Sequence, residues 1–488
     1  MQWQEFLSSA SISAVCTDSR QVVPGALFIA CPGEHVDGRN YVQQAIERGA
    51  IGILYESEDG WEPGSSVKLT PMMPVIDLSE KLGEIAANFY HNPSHAMQVI
   101  GVTGTNGKTS CTHFIAESLS SLGKLCGIVG TLGNGLLSAL HKTAYTTPDP
   151  ILLQAALANM REQHAQAVAI EVSSHALVQG RVNGVKFHTA VYTQLSRDHL
   201  DYHQTMEAYA NAKAQLFEWP ELQYAVINID DVWGEKFARR FSKSVNVITY
   251  SAQPDSHLPD VQATKITPLP AGFEVMVRTP WGEGKFCTSL LGRFNISNLL
   301  AVLSVLGLAE INLADALASI STLQTVAGRM QVFNSVNMPT IIVDYAHTPD
   351  ALEKALLSLK EHCQGKLVCV FGCGGDRDRG KRSAMGEVAE RFADQLILTN
   401  DNPRSEDQAR IIDDICEGLS EPVKATIQLD RALAIQMAVQ KAGVNDMVLI
   451  AGKGHETTQV IGSATHAFSD IQQVEALLNQ TTLGVDNE

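Results

Sequence analysis

Thr103-Gly-Thr-Asn-Gly-Lys-Thr109 stands between an apolar stretch, Gln98 to Thr103, and a segment from about Lys108 to Leu122 that reads as a helix closed by Gly123. Glycines in such a turn let the backbone wrap an anion with its N–H groups pointing inward, and the helix N-terminus adds positive potential. Gly104, Thr105, Asn106 and Gly107 would then cradle the phosphates of a nucleotide. Lys108 would reach the β- and γ-phosphates, and the Thr109 hydroxyl suits a magnesium ion. The strict phosphate-loop pattern has another glycine five places before Gly107, where this chain has Val102. The alternative is a Gly-rich turn that binds nothing; Gly-Lys-Thr between a strand and a helix favours the phosphate.

Outward from this loop the chain reads as α/β in three regions, 1–93, 94–330 and 331–488, in keeping with about 100–200 residues per domain. The first has short apolar strands, Ala26 to Ala30 and Ile51 to Tyr55, a helical stretch Tyr41 to Arg48, and a connection at His91 to Ser94 that reads as a hinge. The second carries buried-strand runs at Ala167 to Val172, Thr189 to Thr193, Tyr224 to Asn228 and Val245 to Tyr250, with helices between several of them, which implies a mainly parallel sheet. Glu274 to Thr288 alternates like antiparallel strands. The third region has four strands: Thr340 to Val343, Leu367 to Phe371, Gln395 to Leu398 and Met447 to Ile450. Polar clusters follow each of them: Asp344 to His347, Gly374 to Arg377, Asp401 to Arg404 and Gly452 to Glu456. Open α/β sheets bind ligands beyond the carboxyl ends of their strands, so these clusters predict one shared site. The terminal Leu483 to Glu488 is expected to fray.

Composition narrows the function. Hydrophobic residues are 45% and charged residues 18% of the 488, a globular balance. A net charge of −17 repels nucleic acid, so anionic ligands must be held by local positive features. The N-terminal sequence lacks a basic segment ahead of an apolar one, and the best apolar run, Leu299 to Ala309, is short of the roughly 20 residues a membrane helix needs. No membrane insertion and a cytoplasmic location are therefore expected. The nine cysteines are scattered without paired zinc spacing and read as free thiols.

Glu171 ends an apolar strand and opens E-V-S-S-H. A carboxylate there is costly to bury without a cation, and Mg²⁺ takes oxygen ligands; an ordinary strand-end Glu is the alternative. Asp198, His199 and Asp201 follow the next strand and are candidates to stand beside it.

These segments, with C-T-D-S-R from Cys16, S-R-D-H-L-D-Y-H from Ser196, F-N-I-S-N from Phe294, G-R-M from Gly328, D-Y-A-H-T-P from Asp344, G-G-D-R-D from Gly374 and A-G-K-G-H-E from Ala451, occur in an order that resembles the Mur ligases, enzymes of bacterial peptidoglycan synthesis. The likeness spans essentially the whole chain. It implies a small N-terminal α/β domain, a central P-loop NTPase-like parallel sheet and a C-terminal Rossmann-like domain, binding a UDP-sugar, ATP and an amino acid in turn. The implied reaction phosphorylates a substrate carboxylate, and an amine then displaces phosphate. By position, Lys108 and Thr109 serve phosphate and Mg²⁺, and Glu171 and His199 resemble metal ligands. Asn298 resembles the adenine contact, Arg329 a phosphate contact and Asp344 the ribose contact. Thr146, Thr147, Ser173, Gln179 and Arg181 match positions for the UDP-muramoyl peptide, and Thr17 and Ser19 match its uridine end. Glu34 to Val36 aligns with a further substrate-contacting stretch but diverges from it. Lys213 matches a lysine that relatives carry as a carbamate, which would turn an ammonium into an oxygen ligand for the metal.

Asp401-Asn402-Pro403-Arg404 resembles the motif of the branch that adds meso-diaminopimelate to UDP-N-acetylmuramoyl-L-alanyl-D-glutamate; lysine-adding relatives lack the arginine. Diaminopimelate carries a second carboxylate that a guanidinium can take in a two-bonded pair. Arg377, Gly452 and Glu456 match the remaining amino-acid positions, Glu456 facing the distal ammonium. Lys108, Lys213 and His199 are the residues expected to carry catalysis, in a monomer. Two other readings compete: a folate polyglutamate-type ligase, not expected to have the N-terminal D-S-R or Asp401 to Arg404, and a nucleotide-binding regulator, for which a second ligand site is superfluous.

Overall fold

The computed structural model describes residues 11–33, 36–57, 60–61, 70–143, 145–255, 259–269 and 272–485, with Trp3, Gln4, Phe6 and Gly64. Glu34 and His35 of the divergent substrate stretch lie outside the described residues, as do 486–488 at the C-terminus. The last helix runs Asp470–Val485. By contact density the chain falls into two compact units: Met1–Thr103 with Gly123–Ala190 and Ala212–Tyr224, and Gly104–Leu122 with Val191–Asn211 and Ala225–Glu488.

The first unit opens with a four-stranded parallel sheet, β1 (Ala14–Cys16), β2 (Ala26–Ala30), β3 (Gly52–Glu56) and β4 (Met72–Val75), in chain order. Strand β2, and β3 up to its last residue Glu56, are apolar and buried because helices or loops cover both faces, and the two resulting cores divide the strand residues by alternation: Leu27, Ile29 and Leu54 on one face, Phe28, Ala30 and Ile53 on the other. The same unit contains β5 (Gln98–Thr103), β6 (Cys126–Gly130), β7 (Gly133–Leu136) and β8 (Ala167–Glu171), ordered β5-β8-β6-β7 with only the last pair antiparallel. The connection at His91 to Ser94 is held closely: Arg161 donates to the carbonyls of Tyr90 and His91, and Ser94 accepts from the Lys186 N–H.

In the chain order β9 (Thr189–Tyr192) and β10 (Tyr224–Asn228) lead into the second unit. There β11 (Asn246–Ser251) pairs parallel with β12 (Val261–Pro268), which runs antiparallel to β13 (Phe273–Thr279) and on to β14 (Gly282–Thr288), the hairpin foreseen from the alternation. The helix Arg293–Leu308 is nearly all buried, which accounts for its weak amphipathic pattern.

The C-terminal sheet contains β15 (Gln331–Phe333), β16 (Thr340–Asp344), β17 (Leu367–Phe371), β18 (Gln395–Leu398), β19 (Thr426–Ile427) and β20 (Met447–Ala451). Their order is β15-β16-β20-β17-β18-β19, all pairs parallel but the first. Leu356, Met385 and Ile412 cover one face and Ile435, Val439 and Val474 the other. Because β16, β17, β18 and β20 point the same way, their following loops all emerge at one edge. A short hairpin, β21 (Thr458–Ile461) and β22 (Ala464–Ala467), follows.

Candidate active site

The phosphate loop is shaped by two glycines in positive-φ conformations, Gly104 at 148° and Gly107 at 88°. A Cβ on Gly107 would stand 2.7 Å from Asn298 Oδ1, and one on Gly104 would collide with the Thr193 hydroxyl. The loop is pinned from beneath, Thr105 N–H to Gln194 O at 2.7 Å and Thr193 Oγ1 to Asn106 O at 2.6 Å. Lys108 Nζ donates to Gly104 O and Thr105 O, both at 2.9 Å.

Around the start of the helix Lys108–Ser121 the second unit gathers its other predicted nucleotide residues. Asn298, on the helix Arg293–Leu308, donates to Asn295 Oδ1 at 3.1 Å and is buried. Arg329 NH2 donates to Thr109 Oγ1 at 3.2 Å, and its guanidinium lies 4.3 Å above the Tyr345 ring. The Nε of Arg329 is buried with no hydrogen-bond partner among the described residues, an unmet donor. Asp344 accepts from the N–H groups of Met330 at 2.7 Å and Ala346 at 2.8 Å. Burial raises its pKa against the opposing pull of Arg329 and those N–H groups. Burial, then Arg329 and His113, push His455 down to about 3, so its ring is neutral against Tyr345.

His199, at φ 54°, lies with its Nε2 3.5 Å from Asp198 Oδ2, and His347 Nε2 approaches the same oxygen at 3.7 Å. Burial works to raise the Asp198 carboxyl, but the hydrogen bond from His347 and the charges of His347, His199 and Lys381 outweigh it and hold the group well below the usual carboxylate range. Asp201 is exposed.

The four loops at the carboxyl edge of the C-terminal sheet meet as the strand order requires. Gly452 N–H donates to Asp344 O at 3.1 Å, and Gly375 N–H to Asn402 O at 2.9 Å. Asn402 joins Glu456 at 2.9 Å and accepts from Lys453 at 3.1 Å; Lys453, fully buried, also pairs with Glu456 at 2.6 Å. Asp401 and Pro403 are buried, and Gly452, at φ 115°, leaves room for the Asp401 carboxylate that a Cβ would meet at 2.7 Å. Arg404 NH1 donates to Gly375 O at 2.7 Å. Arg377 is exposed beside Gly374.

In the first unit Glu171 is buried and accepts from the Thr131 N–H at 2.8 Å and hydroxyl at 3.2 Å. Thr131 in turn donates to Thr146, while Thr147 donates to Glu171 O at 2.7 Å and to Ser173 Oγ at 3.3 Å. Arg181 donates to Thr147 O at 3.0 Å and stacks over the exposed Tyr145 ring. Gln179 closes the short helix Ser174–Val178 from an exposed position. Lys213 is 1% exposed, unlike the surface lysine that a helix position suggests by default. Thr17 is exposed, whereas Ser19 is buried with its hydroxyl on Gln44. All nine cysteines are free.

His347 and Lys453 lie inside the clusters Asp344 to His347 and Gly452 to Glu456 from which a shared site is expected, although the sequence assigned neither a role of its own. Lys381, Arg382 and Glu406 gave no sequence signal, since nothing local marks a polar side chain that will be buried by distant chain.

Three family descriptions match the chain: "Mur ligase family, catalytic domain" over residues 11–90, "Mur ligase middle domain" over 102–306 and "Mur ligase, glutamate ligase domain" over 328–454. UDP-N-acetylmuramoyl-L-alanyl-D-glutamate--2,6-diaminopimelate ligase of Coxiella burnetii is 56% identical over 469 residues, 96% of each chain. A solved ligase of the same name superposes with a TM-score of 0.69 at 37% identity, covering 96% of this chain and 95% of its own. The MurF ligase from Thermotoga maritima, solved in complex with ADP, shares the fold, with a TM-score of 0.67 at 17% identity, 96% of this chain and 97% of its own being covered.

Proposed function

The chain belongs to the Mur ligase family, and from that premise we propose that it adds meso-diaminopimelate to the γ-carboxylate of UDP-N-acetylmuramoyl-L-alanyl-D-glutamate at the expense of ATP, in peptidoglycan synthesis. A carboxylate is a poor electrophile, so its phosphorylation to an acyl phosphate supplies the leaving group that the incoming amine displaces. Nothing in this chemistry asks the protein for a covalent bond. It asks for positioning and for positive charge at the transferring phosphoryl group.

Each stage has a structural support. The loop Gly104 to Gly107 and Lys108 hold the phosphates, with Arg329 beside Thr109 adding charge; Asn298 and Asp344 take adenine and ribose. Thr146, Thr147, Ser173, Gln179 and Arg181 hold the muramoyl peptide, with Thr17 and Ser19 at its uridine. Arg377, Asp401, Asn402, Pro403, Arg404, Gly452 and Glu456 hold the amino acid. The observation that carries the choice of diaminopimelate is Arg404. Among the described residues its side-chain hydrogen bonds go to backbone carbonyls, and no carboxylate lies within ion-pair distance. A second carboxylate on the substrate completes that guanidinium; lysine leaves it incomplete beside another cation.

Thr109, Glu171, His199 and Lys213 are the residues we propose for Mg²⁺. The donor chemistry fits: a hydroxyl, a buried carboxylate, an imidazole, and a buried lysine whose carbamate would be anionic. When bound, the ion would neutralise charge on the phosphates. Lys213→Ala is expected to lose most activity and to regain part of it with a small added carboxylate such as acetate; no rescue, together with an unmodified lysine by mass spectrometry, counts against the carbamate.

We divide the chain by ligand into a UDP-binding domain, 1–93, an ATP-binding domain, 94–330, and an amino-acid-binding domain, 331–488, acting as a monomer in the cytoplasm. Among the described residues no helix is long and apolar enough to cross a membrane. The decisive experiment measures phosphate release with ATP alone and with each substrate added. Release that requires both the UDP-dipeptide and diaminopimelate is expected; release indifferent to them is the mark of a nucleotide-binding regulator and ends the proposal.

A further inference from the structure

The loops that follow β17 and β18 are fastened to each other by side chains to which the reading above gives no task. Asp376 accepts from the Ser405 hydroxyl at 2.8 Å and from its N–H at 3.1 Å. Glu406 returns the link, accepting from the Asp376 N–H at 2.5 Å. Beneath both loops Arg382 is completely buried on the helix Gly380–Phe392. Its NH2 donates to Glu406 Oε1 at 2.8 Å and to Gly374 O at 3.1 Å, and its NH1 to Glu406 Oε2 at 3.0 Å and Asp414 Oδ2 at 2.7 Å. Arg379 adds a further contact to Glu406 at 3.0 Å.

This network encloses two backbone positions that resist their own conformation. Asp376 and Arg404 both stand in the left-handed region, at φ 54° and 52°, where a side chain with a Cβ is disfavoured. Strain of this kind persists only where the surroundings over-determine it. On one side the hairpin β21–β22 does so, taking the Arg404 N–H at Val460 O and giving Gly462 N–H to Arg404 O. On the other, Gly375 lies so close under Pro403 O that no side chain fits there. Its carbonyl, aimed by the Arg382 network through Gly374 and Asp376, is the strongest hold on the Arg404 guanidinium.

A buried arginine with two acid partners is a poor way to gain stability, since an apolar residue of similar volume often does as well. Fixing the register of two loops is the better use. We propose that Arg382 is a positioning residue for amino-acid selectivity, acting through Glu406 and Asp376 to hold Arg404 in line with the far carboxylate of the incoming amino acid. The inference rests on the diaminopimelate reading and adds to it the device that keeps the fork in place. Glu406, brought down to about 2 chiefly by its hydrogen bonds from Arg382, is fully charged wherever the enzyme works.

Steady-state phosphate release by the full chain tests it. Glu406→Gln keeps the shape and removes the charge; KM for diaminopimelate should rise about tenfold and the preference over lysine fall about tenfold, the worth of one charge-assisted hydrogen bond. KM for ATP and for the UDP-dipeptide should stay within about twofold, because the network touches neither. In an Arg404→Ala background the same change should add less than about twofold, since there is no fork left to aim. Should Glu406→Gln not be recovered folded, Ser405→Ala at an exposed position carries the test, with about a threefold rise in KM for diaminopimelate. A fall in kcat with KM unchanged, or an effect that multiplies undiminished with Arg404→Ala, overturns the proposal. Arg404→Ala alone separates the two levels. If it leaves the preference for diaminopimelate intact, the underlying reading falls and this inference with it; if it abolishes the preference while Glu406→Gln and Ser405→Ala do nothing, only the positioning role is wrong.

Discussion

Arg431 and Arg404 both stand near the carboxyl edge of the C-terminal sheet, and their guanidinium groups are treated in opposite ways. Arg431 is spent: Nε and NH2 take the two oxygens of Asp470 at 2.7 and 2.8 Å, NH1 takes Asn400 O at 3.2 Å, and NH2 also takes Ala451 O at 2.9 Å. Both side chains of the pair are fully buried. Arg404 offers NH1 to Gly375 O and, at 3.5 Å, to Asn402 O, and is half-buried. A guanidinium with all three nitrogens bonded within the fold and its charge paired ties strand ends together and leaves little to recognise. One held by carbonyls alone keeps its charge for a partner that arrives from solution. Saturation, more than burial or charge, separates the structural cation from the binding one.

The comparison breaks most visibly at Arg431. Arg431→Met strands a buried Asp470 and should cost about 3–5 kcal/mol of stability, read as a lowered denaturation midpoint. Removing both charges together, Arg431→Met with Asp470→Leu, should recover most of that loss; a single variant as stable as the parent contradicts the assignment. Arg404→Ala sharpens the contrast from the other side. Selectivity for diaminopimelate over lysine should fall by about 10²–10³-fold, from paired kcat/KM measurements, with the melting temperature little changed. A large loss of stability there means that Arg404, too, is a pin.

The smallest effect concerns acid. Glu406 is a stronger acid in the folded chain, at about 2 against an ordinary 4.5, because of Arg382 first. Protons therefore bind the unfolded chain more readily, and the stabilisation is whole above about pH 4.5 and is lost as the pH falls through about 2. Parent and Glu406→Gln should differ in stability near neutrality and converge as the pH falls below about 2; a difference that stays undiminished from neutrality into that range denies the charge its part.

What the sequence made legible was whatever chemistry is written in consecutive residues. Thr103 to Thr109 and Asp401 to Arg404 are local patterns at strand ends, and the cores of β2, β5, β10, β17 and β18 fall where apolar runs placed them. Strand β6, Cys126–Gly130, escaped because glycines at 127 and 130 dilute its apolar signal; a Cβ at Gly127 would meet Met160 and one at Gly130 would meet Glu171. The short edge strands β1, β15 and β19 are too brief to show a period. Arg431 and Asp470 lie 39 residues apart and advertise nothing of each other. Arg382 looked like any charged residue on a helix that a motif precedes. Partnership across distant segments is set by topology, and a single chain read alone does not display it.

The grip of β21–β22 on Arg404 has a consequence for how the protein comes into being. Among the described residues, both main-chain groups of Arg404, the arginine proposed to select, are paired by residues synthesised long after it. On the proposed function, a chain still leaving the ribosome thus owns its phosphate turn well before it can tell one amino acid from another, and a copy cut short ahead of that hairpin would be a nucleotide holder with no sense of its cargo.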